Sequence, residues 1–334
     1  MAQVAASVLA QTSGKNFTVL NADCVEASRG LPDNSVGLTV FSPPFESLYT
    51  FSDDPRDMSN CTTKETFWSH FKFLITELYR VTKAGRIVCI HCMQLPTSKT
   101  RDGFIGIRDF RGEIVRAFMD AGFYFHSEVM IRKDPVAAMQ RSKSIGLLHK
   151  QVMKDSTISR MALADYIVVM RKPGDNPEPV SGPLDEYHGT DVRASDGALM
   201  TSSAFKGTEW HRPGDPWFSI AVWQRYAESV WLDIAQGDVL SRKEARDEVD
   251  EAHISPLQLQ VIRRCVDLWS NPGDVVFSPF AGIGSEGNVA IEEGRRFIGI
   301  ELKDTYYRWA SKNLEMAERL RNAQATFDFE EAAV

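Results

Sequence analysis

The sequence contains few cysteines and no hydrophobic run long enough to cross a membrane. Its five cysteines among 334 residues are an odd number, which argues against a framework of paired disulfides in a chain of this length. No apolar stretch approaches the ~18 residues that a transmembrane helix needs. The N-terminus has neither the charged segment nor the long apolar core of a secretion signal. We therefore expect a cytoplasmic protein.

Positive charge is also scarce, because the formal net charge is −7 at pH 7. This balance argues against a generally basic surface of the kind that coats nucleic acid. Any surface for nucleic acid must therefore be confined to one part of the molecule. With 43% hydrophobic and 25% charged residues, the chain otherwise has the composition of an ordinary globular protein.

Two of the cysteines, Cys89 and Cys92, have the C-x-x-C spacing of a zinc site or a redox pair. No second pair of this kind stands elsewhere in the sequence, and the surrounding segment IVCIHC has the composition of a buried strand. We therefore expect both thiols to belong to the core, and we expect no bound metal.

Strand-like and helix-like segments alternate over most of the chain. The segments VGLTVF, RIVCIHC, YFHSEVMIR and ADYIVVMRKP predict strands, whereas residues 64–82 and about 111–121 carry apolar residues at helical spacing. This alternation predicts an α/β sheet with helices on both faces. Residues 174–252 differ, because much of this stretch is rich in Gly, Pro, Ser and Asp and has no sustained period. Such a stretch is typical of a linker or of an insertion built from loops.

Two short motifs stand near opposite ends of the chain. The strand-like VVFSPF at 275–280 runs into AGIGSEG, where Gly282, Gly284 and Gly287 satisfy the dinucleotide-binding fingerprint G-x-G-x-x-G. Too few residues follow Gly287 to build an ordinary nucleotide-binding domain. At 41–45, the segment FSPPF ends a strand, because proline cannot continue a ladder of hydrogen bonds.

Taken together and in this order, the two motifs resemble those of the amino-group DNA methyltransferases that use S-adenosyl-L-methionine, in the permuted arrangement called the beta class. That family places its [D/N/S]-P-P-[Y/F] motif first, a target-recognition region next and an F-x-G-x-G loop last. The resemblance covers roughly residues 16–173 and 253–325, and the segment RFIGIELKDTYYRWASKNL resembles the strand and helix after the family's loop. The order of the motifs also explains the position of the glycine loop, because most strands of its sheet then come from the N-terminal half.

The resemblance implies a Rossmann-like class I methyltransferase fold with a mixed, mostly parallel, seven-stranded sheet that is circularly permuted. In this interpretation residues 1–173 form the catalytic half of the domain and residues 253–325 form its cofactor-binding half. Residues 174–252 are an inserted target-recognition region, and residues 326–334 are a tail.

The same resemblance implies that S-adenosyl-L-methionine is held by the glycine loop. Gly282 and Gly284 would let the backbone approach the ligand where a Cβ would collide, and Phe280 would pack against it. Glu301 would accept hydrogen bonds from the two ribose hydroxyls. The expected cofactor-binding residues are Asp23, Ser278, Pro279, Phe280, Ala281, Gly282, Gly284, Glu301 and Leu302.

One position departs from the family's pattern. Relatives usually carry Asp two residues before the phenylalanine of the loop, whereas this chain carries Ser278. A hydroxyl still binds an ammonium group or orders the loop, but it supplies no charge. Asp23 in LNADC either compensates by contacting the cofactor or serves only as a helix N-cap.

By the same resemblance, the motif Ser42, Pro43, Pro44 and Phe45 is catalytic. The exocyclic amine of cytosine or adenine is a poor nucleophile, because its lone pair is delocalised into the ring. Ser42 Oγ and the Pro43 carbonyl would accept its two N–H bonds, and Phe45 would stack on a base flipped out of the duplex. With no strong base in the motif, we expect positioning to be the main catalytic device. Family members with Ser at the first position most often methylate cytosine N4, which favours that target over adenine N6.

The surface for DNA is predicted from a local excess of basic residues between Glu128 and Arg160. The residues expected to contact phosphates are Arg132, Lys133, Arg141, Lys143 and Lys150, although a plain solvated face has the same pattern. Four tryptophans of the inserted region either stack on DNA or form a small core; they are Trp210, Trp217, Trp223 and Trp231.

Other functions stay open at this point. A nicotinamide oxidoreductase would use the G-x-G-x-x-G match but would leave FSPPF unexplained. Related folds with a similar P-P motif methylate an RNA amine or a protein glutamine. A protein that binds DNA without catalysis is a third reading, with Ser278 marking a decayed cofactor site. We expect DNA as the partner, a monomer or homodimer, and a place in DNA modification of the restriction–modification kind.

Overall fold

The computed structural model describes residues 8–46, 54, 56–61, 63–136, 148–202, 208–241 and 256–332. In this part of the chain the strands are β1 (Ala10–Ser13), β2 (Phe17–Asn21), β3 (Val36–Phe41), β4 (Thr82–Met93), β5 (Leu95–Pro96), β6 (Ile107–Arg108), β7 (Tyr124–Ile131), β8 (Asp165–Arg171), β9 (Leu199–Met200), β10 (Trp210–His211), β11 (Val230–Trp231), β12 (Val275–Ser278) and β13 (Arg296–Glu301). The helices are α1 (Cys24–Ser28), α2 (Lys64–Val81), α3 (Lys99–Asp102), α4 (Phe110–Asp120), α5 (His149–Val152), α6 (Phe218–Tyr226), α7 (Leu259–Trp269), α8 (Ser285–Glu292) and α9 (Asp304–Ala332), with short 3-10 turns at Met58–Asn60 and Ser156–Ile158.

One mixed sheet organises the molecule. Its strand order is β1-β2-β13-β12-β3-β4-β8-β7-β11 over the described residues. The run from β2 to β4 is parallel, and β8 is antiparallel to both of its neighbours, β4 and β7. In this order, the seven strands that begin with β2 and end with β7 correspond to the predicted seven-stranded sheet. The short strands β1 and β11 extend its two edges.

The C-terminal strands β12 and β13 lie between the N-terminal strands β2 and β3. Val276 pairs with Leu38 and Phe297 pairs with Phe17, so each C-terminal strand hydrogen-bonds to one from the other end of the sequence. This arrangement agrees with the predicted permutation, and the predicted α/β class is confirmed.

Helices cover both faces of the sheet, because alternate residues of each central strand point to opposite sides. On β4, Cys89 belongs to the core beneath α7, α8 and α9, whereas Val88 and Ile90 belong to the core beneath α2 and α4. Helix α2 buries the predicted stripe Phe67, Phe71, Leu74, Leu78 and Val81.

The C-x-x-C pair is part of this core, as predicted. Cys89 and Cys92 are both fully buried free thiols, and burial raises the pKa of each. They belong to the cores on opposite faces of the sheet, so they cannot bind the same metal ion or form a disulfide with each other.

The inserted region is joined to the sheet rather than separate from it. Its strand β11 pairs in parallel with β7, and Trp231 on that strand is fully buried under the guanidinium of Arg264, 4.8 Å from the ring centroid. The region also has a small core of its own around α6 and the β9–β10 hairpin. Trp210, Trp217 and Trp223 are 46%, 37% and 50% exposed.

Helix α9 continues to Ala332, so the segment expected to be a tail from residue 326 is helical over most of its length.

No helix that the structure describes is both long and apolar enough to span a bilayer.

Candidate active site

The two motifs meet in one cleft at the carboxyl ends of the parallel strands β2, β3, β12 and β13. Ligands of open α/β sheets bind at this edge. The cleft contains about 1190 Å³ of empty space, including the part that is open to solvent, which is ample for a ligand larger than a nucleoside. Its walls are formed by Ala22, Asp23, Cys24, Ser42, Pro43, Pro44, Phe45, Arg56, Asp57, Met58, Pro256, Leu257, Pro279, Phe280, Ala281, Gly282, Ile283, Ser285, Glu286, Glu301, Leu302, Lys303 and Tyr306.

The two loop glycines are required for different reasons. Gly282 lines the cleft with a φ of +52°, and a Cβ built on it would meet no protein atom within 4 Å. Gly284 does not line the cleft; its φ is +89°, and a Cβ there would lie 3.3 Å from Ala310 Cα on α9. Gly282 therefore leaves room for a ligand, whereas Gly284 allows the loop to pack closely against a helix.

Glu301 fastens the glycine loop to the end of β13. Its Oε2 accepts the Gly282 N–H at 2.8 Å, and its Oε1 accepts the Lys303 N–H at 2.9 Å. Burial raises the pKa of this carboxyl to about 7, although both N–H donors oppose the rise. Each oxygen retains further acceptor capacity toward a ligand in the cleft.

Asp23 combines the two roles that the sequence left open. Its Oδ1 accepts the backbone N–H groups of Val25 and Glu26, each at 2.9 Å, and so caps α1. The same side chain lines the cleft next to the end of β2. Its second oxygen makes no hydrogen bond within the described chain and is available to a ligand.

Ser278 is not among the residues that line the cleft. It is fully buried at the end of β12, and its Oγ has no hydrogen-bond partner among the residues that the structure describes. An acid that the sequence did not point to, Glu286 on α8, lines the cleft instead. Burial, with a smaller contribution from Glu301, raises the pKa of Glu286 to about 8.

The catalytic motif is connected to a chain of polar side chains behind it. Ser42 Oγ lies 2.8 Å from His91 Nδ1, and His91 Nε2 lies 3.2 Å from Asp165 Oδ2. Lys133 Nζ completes the chain at 2.5 Å from the same oxygen. Burial acts to raise the pKa of Asp165, but His91 and Lys133 outweigh it and lower the pKa below its ordinary value.

This row of polar side chains was not predicted, because its members come from separate strands. Ser42 follows β3, His91 is near the end of β4, and Asp165 begins β8. The only signals in the sequence are a histidine inside the apolar run IVCIHC and an aspartate at the start of DYIVVM. The motif itself contains no strong base, but the fold adds an imidazole that contacts Ser42 directly.

Phe45 and the two prolines form the apolar wall of the cleft. Phe45 is half-buried, with its ring 6.4 Å from that of His91 and 6.0 Å, edge-on, from that of Phe110. Pro43 and Pro44 are buried beside it. The motif thus presents an aromatic ring next to the Ser42 hydroxyl.

The residues expected to contact DNA are not brought together in the same way. Arg132 and Lys150 are exposed, whereas the ammonium of Lys133 is paired with Asp165. Arg141 and Lys143 lie outside the described residues.

One cluster away from the cleft has the spacing of a metal site. Side-chain atoms of Glu186, His188 and Glu293 lie within 4.8 Å of one another. Burial lowers the pKa of His188 to about 4, and Arg263 lies 3.4 Å from Glu293. The guanidinium of Arg263 supplies a positive charge beside Glu293, and the absence of a metal stays a prediction.

Comparison with known proteins supports the same interpretation. The chain is 23% identical over 287 residues to the orphan methyltransferase M.BamHII of Bacillus amyloliquefaciens. The matched residues are 85% of this chain and 90% of that protein. Over 83 residues, 24% of this chain and 28% of the relative, it is 39% identical to the DNA adenine methyltransferase YhdJ of Escherichia coli strain K12. The PvuII DNA methyltransferase, which is cytosine-N4-specific, has the same fold, with a TM-score of 0.58 and 14% identity over 95% of this chain and 94% of that one.

A family model described as DNA methylase matches residues 36–312, a range that includes both motifs and most of the cleft between them. The chain therefore belongs to the N6_N4_Mtase family of DNA methylases.

Proposed function

We propose that this protein is a site-specific DNA methyltransferase that methylates the exocyclic amine of a flipped base, with cytosine N4 as the favoured target. Its cofactor is S-adenosyl-L-methionine, as the sequence predicts. One observation carries the proposal: the FSPPF motif and the glycine loop, which are far apart in the sequence, line a single cleft.

The cleft fits this cofactor in shape and in charge. Gly282 leaves open space above the loop, and Phe280 and Leu302 offer apolar surface for the adenine ring. Glu301 has acceptor capacity for the ribose hydroxyls, and Asp23 in the same cleft has an oxygen that makes no hydrogen bond to the described residues. These residues would hold the cofactor, which when bound supplies an electrophilic methyl group.

The hydrogen bond to His91 and the carboxylate beside that ring prepare Ser42 to receive an amine. With Asp165 ionised, we assign the His91 proton to Nε2, the nitrogen that faces the carboxylate. His91 Nδ1 is then an acceptor, so the Ser42 hydroxyl donates to it. Both lone pairs of Ser42 Oγ are left to accept an N–H bond of the target amine, and the Pro43 carbonyl would accept the second.

The same row of polar side chains can accept the proton that the reaction releases. An amine that gains a methyl group becomes cationic and must lose one proton. Ser42 Oγ takes this proton while its own passes to His91 Nδ1, and the resulting imidazolium is stabilised by Asp165. Lys133 keeps Asp165 ionised and so available for this role.

Cytosine N4 is favoured because the motif begins with serine. Adenine N6 is the second candidate, because the Escherichia coli relative, 39% identical over 83 residues, is a DNA adenine methyltransferase. Phe45 stacks on either base, and Ser42 accepts an N–H bond from either amine.

The test is to express the protein in a host without DNA methylases and to map modified bases by sequencing that reads both modifications. N4-methylcytosine in one sequence context supports the proposal, and N6-methyladenine selects the alternative. If purified protein binds the cofactor but neither base of DNA is modified, DNA is not its substrate, and an RNA amine or a protein glutamine becomes the acceptor to examine.

A further inference from the structure

We infer that Glu286 binds the α-ammonium group of S-adenosyl-L-methionine and supplies the negative charge that Ser278 cannot supply. The inference rests on the proposed function, because it assumes that this cofactor occupies the cleft. Nothing in the sequence pattern assigns Glu286 to the site.

The first argument is the position of Glu286. It lies two residues after Gly284, on the first turn of α8, and it lines the cleft together with Gly282 and Glu301. Its side chain is only 5% exposed. The carboxyl group is therefore placed against the ligand space rather than toward bulk solvent.

The second argument is that this buried acid has no side-chain partner among the described residues, where its own backbone N–H is the donor that opposes the rise of its pKa. No hydrogen bond or ion pair joins its carboxyl to another side chain in the described chain, and Glu301 nearby is also an acid. A buried carboxylate without a cation is costly, so such groups are normally paired or protonated. Burial raises its pKa to about 8, which means that the free protein at pH 7 holds much of this group in its neutral form.

The third argument is the charge of the whole cleft. Four acids line it, namely Asp23, Asp57, Glu286 and Glu301, against two bases, Arg56 and Lys303. Arg56 is paired with Asp54 at 2.7 Å, and the Lys303 ammonium lies 4.6 Å from the centre of the Tyr306 ring. The excess of acids suits a ligand that carries both a sulfonium and an ammonium group.

Ser278 explains why this acid is needed. The resemblance places an acid at position 278, where this chain has a fully buried hydroxyl without a hydrogen-bond partner in the described residues. Ser278 does not line the cleft, so it does not reach the ligand. Glu286 carries the charge from the other side of the same loop.

The test measures binding, not activity. Isothermal titration at pH 7.5 compares S-adenosylhomocysteine with its analogue that lacks the α-amino group, in the parent protein and in Glu286→Gln. We expect the parent to prefer the amino ligand about 10- to 100-fold, the range for a charged hydrogen bond. Glu286→Gln should lose this preference while its affinity for the deamino analogue stays within about twofold of the parent's.

A matched control is Glu292→Gln, which makes the same chemical change on the same helix, at a carboxylate that pairs with Arg263 outside the cleft. It should retain the preference. Adding Ser278→Asp to Glu286→Gln tests whether an acid on the other side of the loop restores the preference. Thermal unfolding of each variant identifies any that fails to fold.

Several outcomes overturn the inference. Equal weakening of both ligands by Glu286→Gln would make Glu286 a structural residue. If that variant does not fold, the two affinities of the parent protein still test the inference. A parent that binds the ligands with and without the α-amino group equally well has no ammonium site. A parent that binds neither ligand refutes the proposed function itself.

Discussion

In the proposed mechanism, Asp165 would act on the target base only through two other residues. It would fix the tautomer of His91, and His91 in turn would orient the Ser42 hydroxyl. Asp165→Asn should remove the fixed tautomer and lower kcat by about 10²–10³, within the range for a positioned proton acceptor. Cofactor affinity should not change, and the pH dependence of kcat should shift.

A double variant shows whether these residues act as one unit. Adding Asp165→Asn to Ser42→Ala should cost little more than Ser42→Ala alone, because coupled residues are not additive. Independent and fully additive losses in kcat, or an unchanged pH profile, would restrict Asp165 to a structural role.

The two contacts with the base should separate in the kinetics. Ser42→Ala removes an acceptor that aims the amine and should lower turnover by about 10²–10³ while leaving cofactor affinity nearly intact. Phe45→Ala removes a stacking surface and should weaken binding of the DNA substrate by roughly 1–3 kcal/mol. Single-turnover rates and DNA dissociation constants measure the two effects. Full activity in Ser42→Ala would mean that FSPPF is only the end of a strand.

At the scale of elements, the glycine loop joins β12, α8 and α9. Gly282→Leu should abolish cofactor binding and leave a folded protein, because its side chain enters the cleft. Gly284→Ala should instead lower the free energy of unfolding by roughly 1–3 kcal/mol, since its φ is +89° and its Cβ meets Ala310 at 3.3 Å. Cofactor titration and thermal unfolding distinguish the two. A Gly282→Leu variant that binds normally would remove this loop from the site.

The elements also show what the sequence could and could not predict. Helix α2 was predicted correctly because its apolar residues recur at helical spacing, and β4 was predicted because it contains a continuous apolar run. The short edge strands β1 and β11 were missed, because a few residues carry no measurable period. The motifs predicted one cleft, and the structure forms it.

Residues that act through three-dimensional neighbours were out of reach of the sequence. His91 and Asp165 lie in adjacent strands of opposite direction, where Met93 pairs with Asp165, and no spacing along the chain records that contact. Glu286 was visible only as one acid of a helix turn. Its burial and its place in the wall of the cleft emerge from the packing of α8.

At the scale of the whole molecule, buried acids make stability depend on pH. Burial raises the pKa of Glu301 and Asp267 to about 7 and that of Glu286 to about 8, whereas it lowers that of His188 to about 4. A raised acid pKa means that the folded state holds protons that the unfolded state has lost, so stability falls as pH rises toward the folded pKa. His188 opposes this trend only up to its unfolded pKa of about 6.5.

The free energy of unfolding of the cofactor-free protein should therefore fall between about pH 6.5 and 8, by on the order of 1 kcal/mol for each raised acid. Urea unfolding across this range measures the slope. The double variant Glu286→Gln with Glu301→Gln should have a flatter profile than the parent. A stability that rises over the same range would contradict the assigned protonation of these acids.

DNA binding is a property of the molecular surface, and two lysines of the same basic stretch should contribute to it differently. Lys150 is exposed, so Lys150→Ala should weaken binding evenly across sequences and reduce the salt slope by about 0.9 if it contacts one phosphate. Lys133 is paired with Asp165, so Lys133→Ala should leave the salt slope unchanged and lower turnover instead. Equilibrium binding at several salt concentrations and single-turnover rates give both quantities. A salt slope that changes in Lys133→Ala and not in Lys150→Ala would reverse the assignment, because it would place the phosphate contact beside the catalytic cleft.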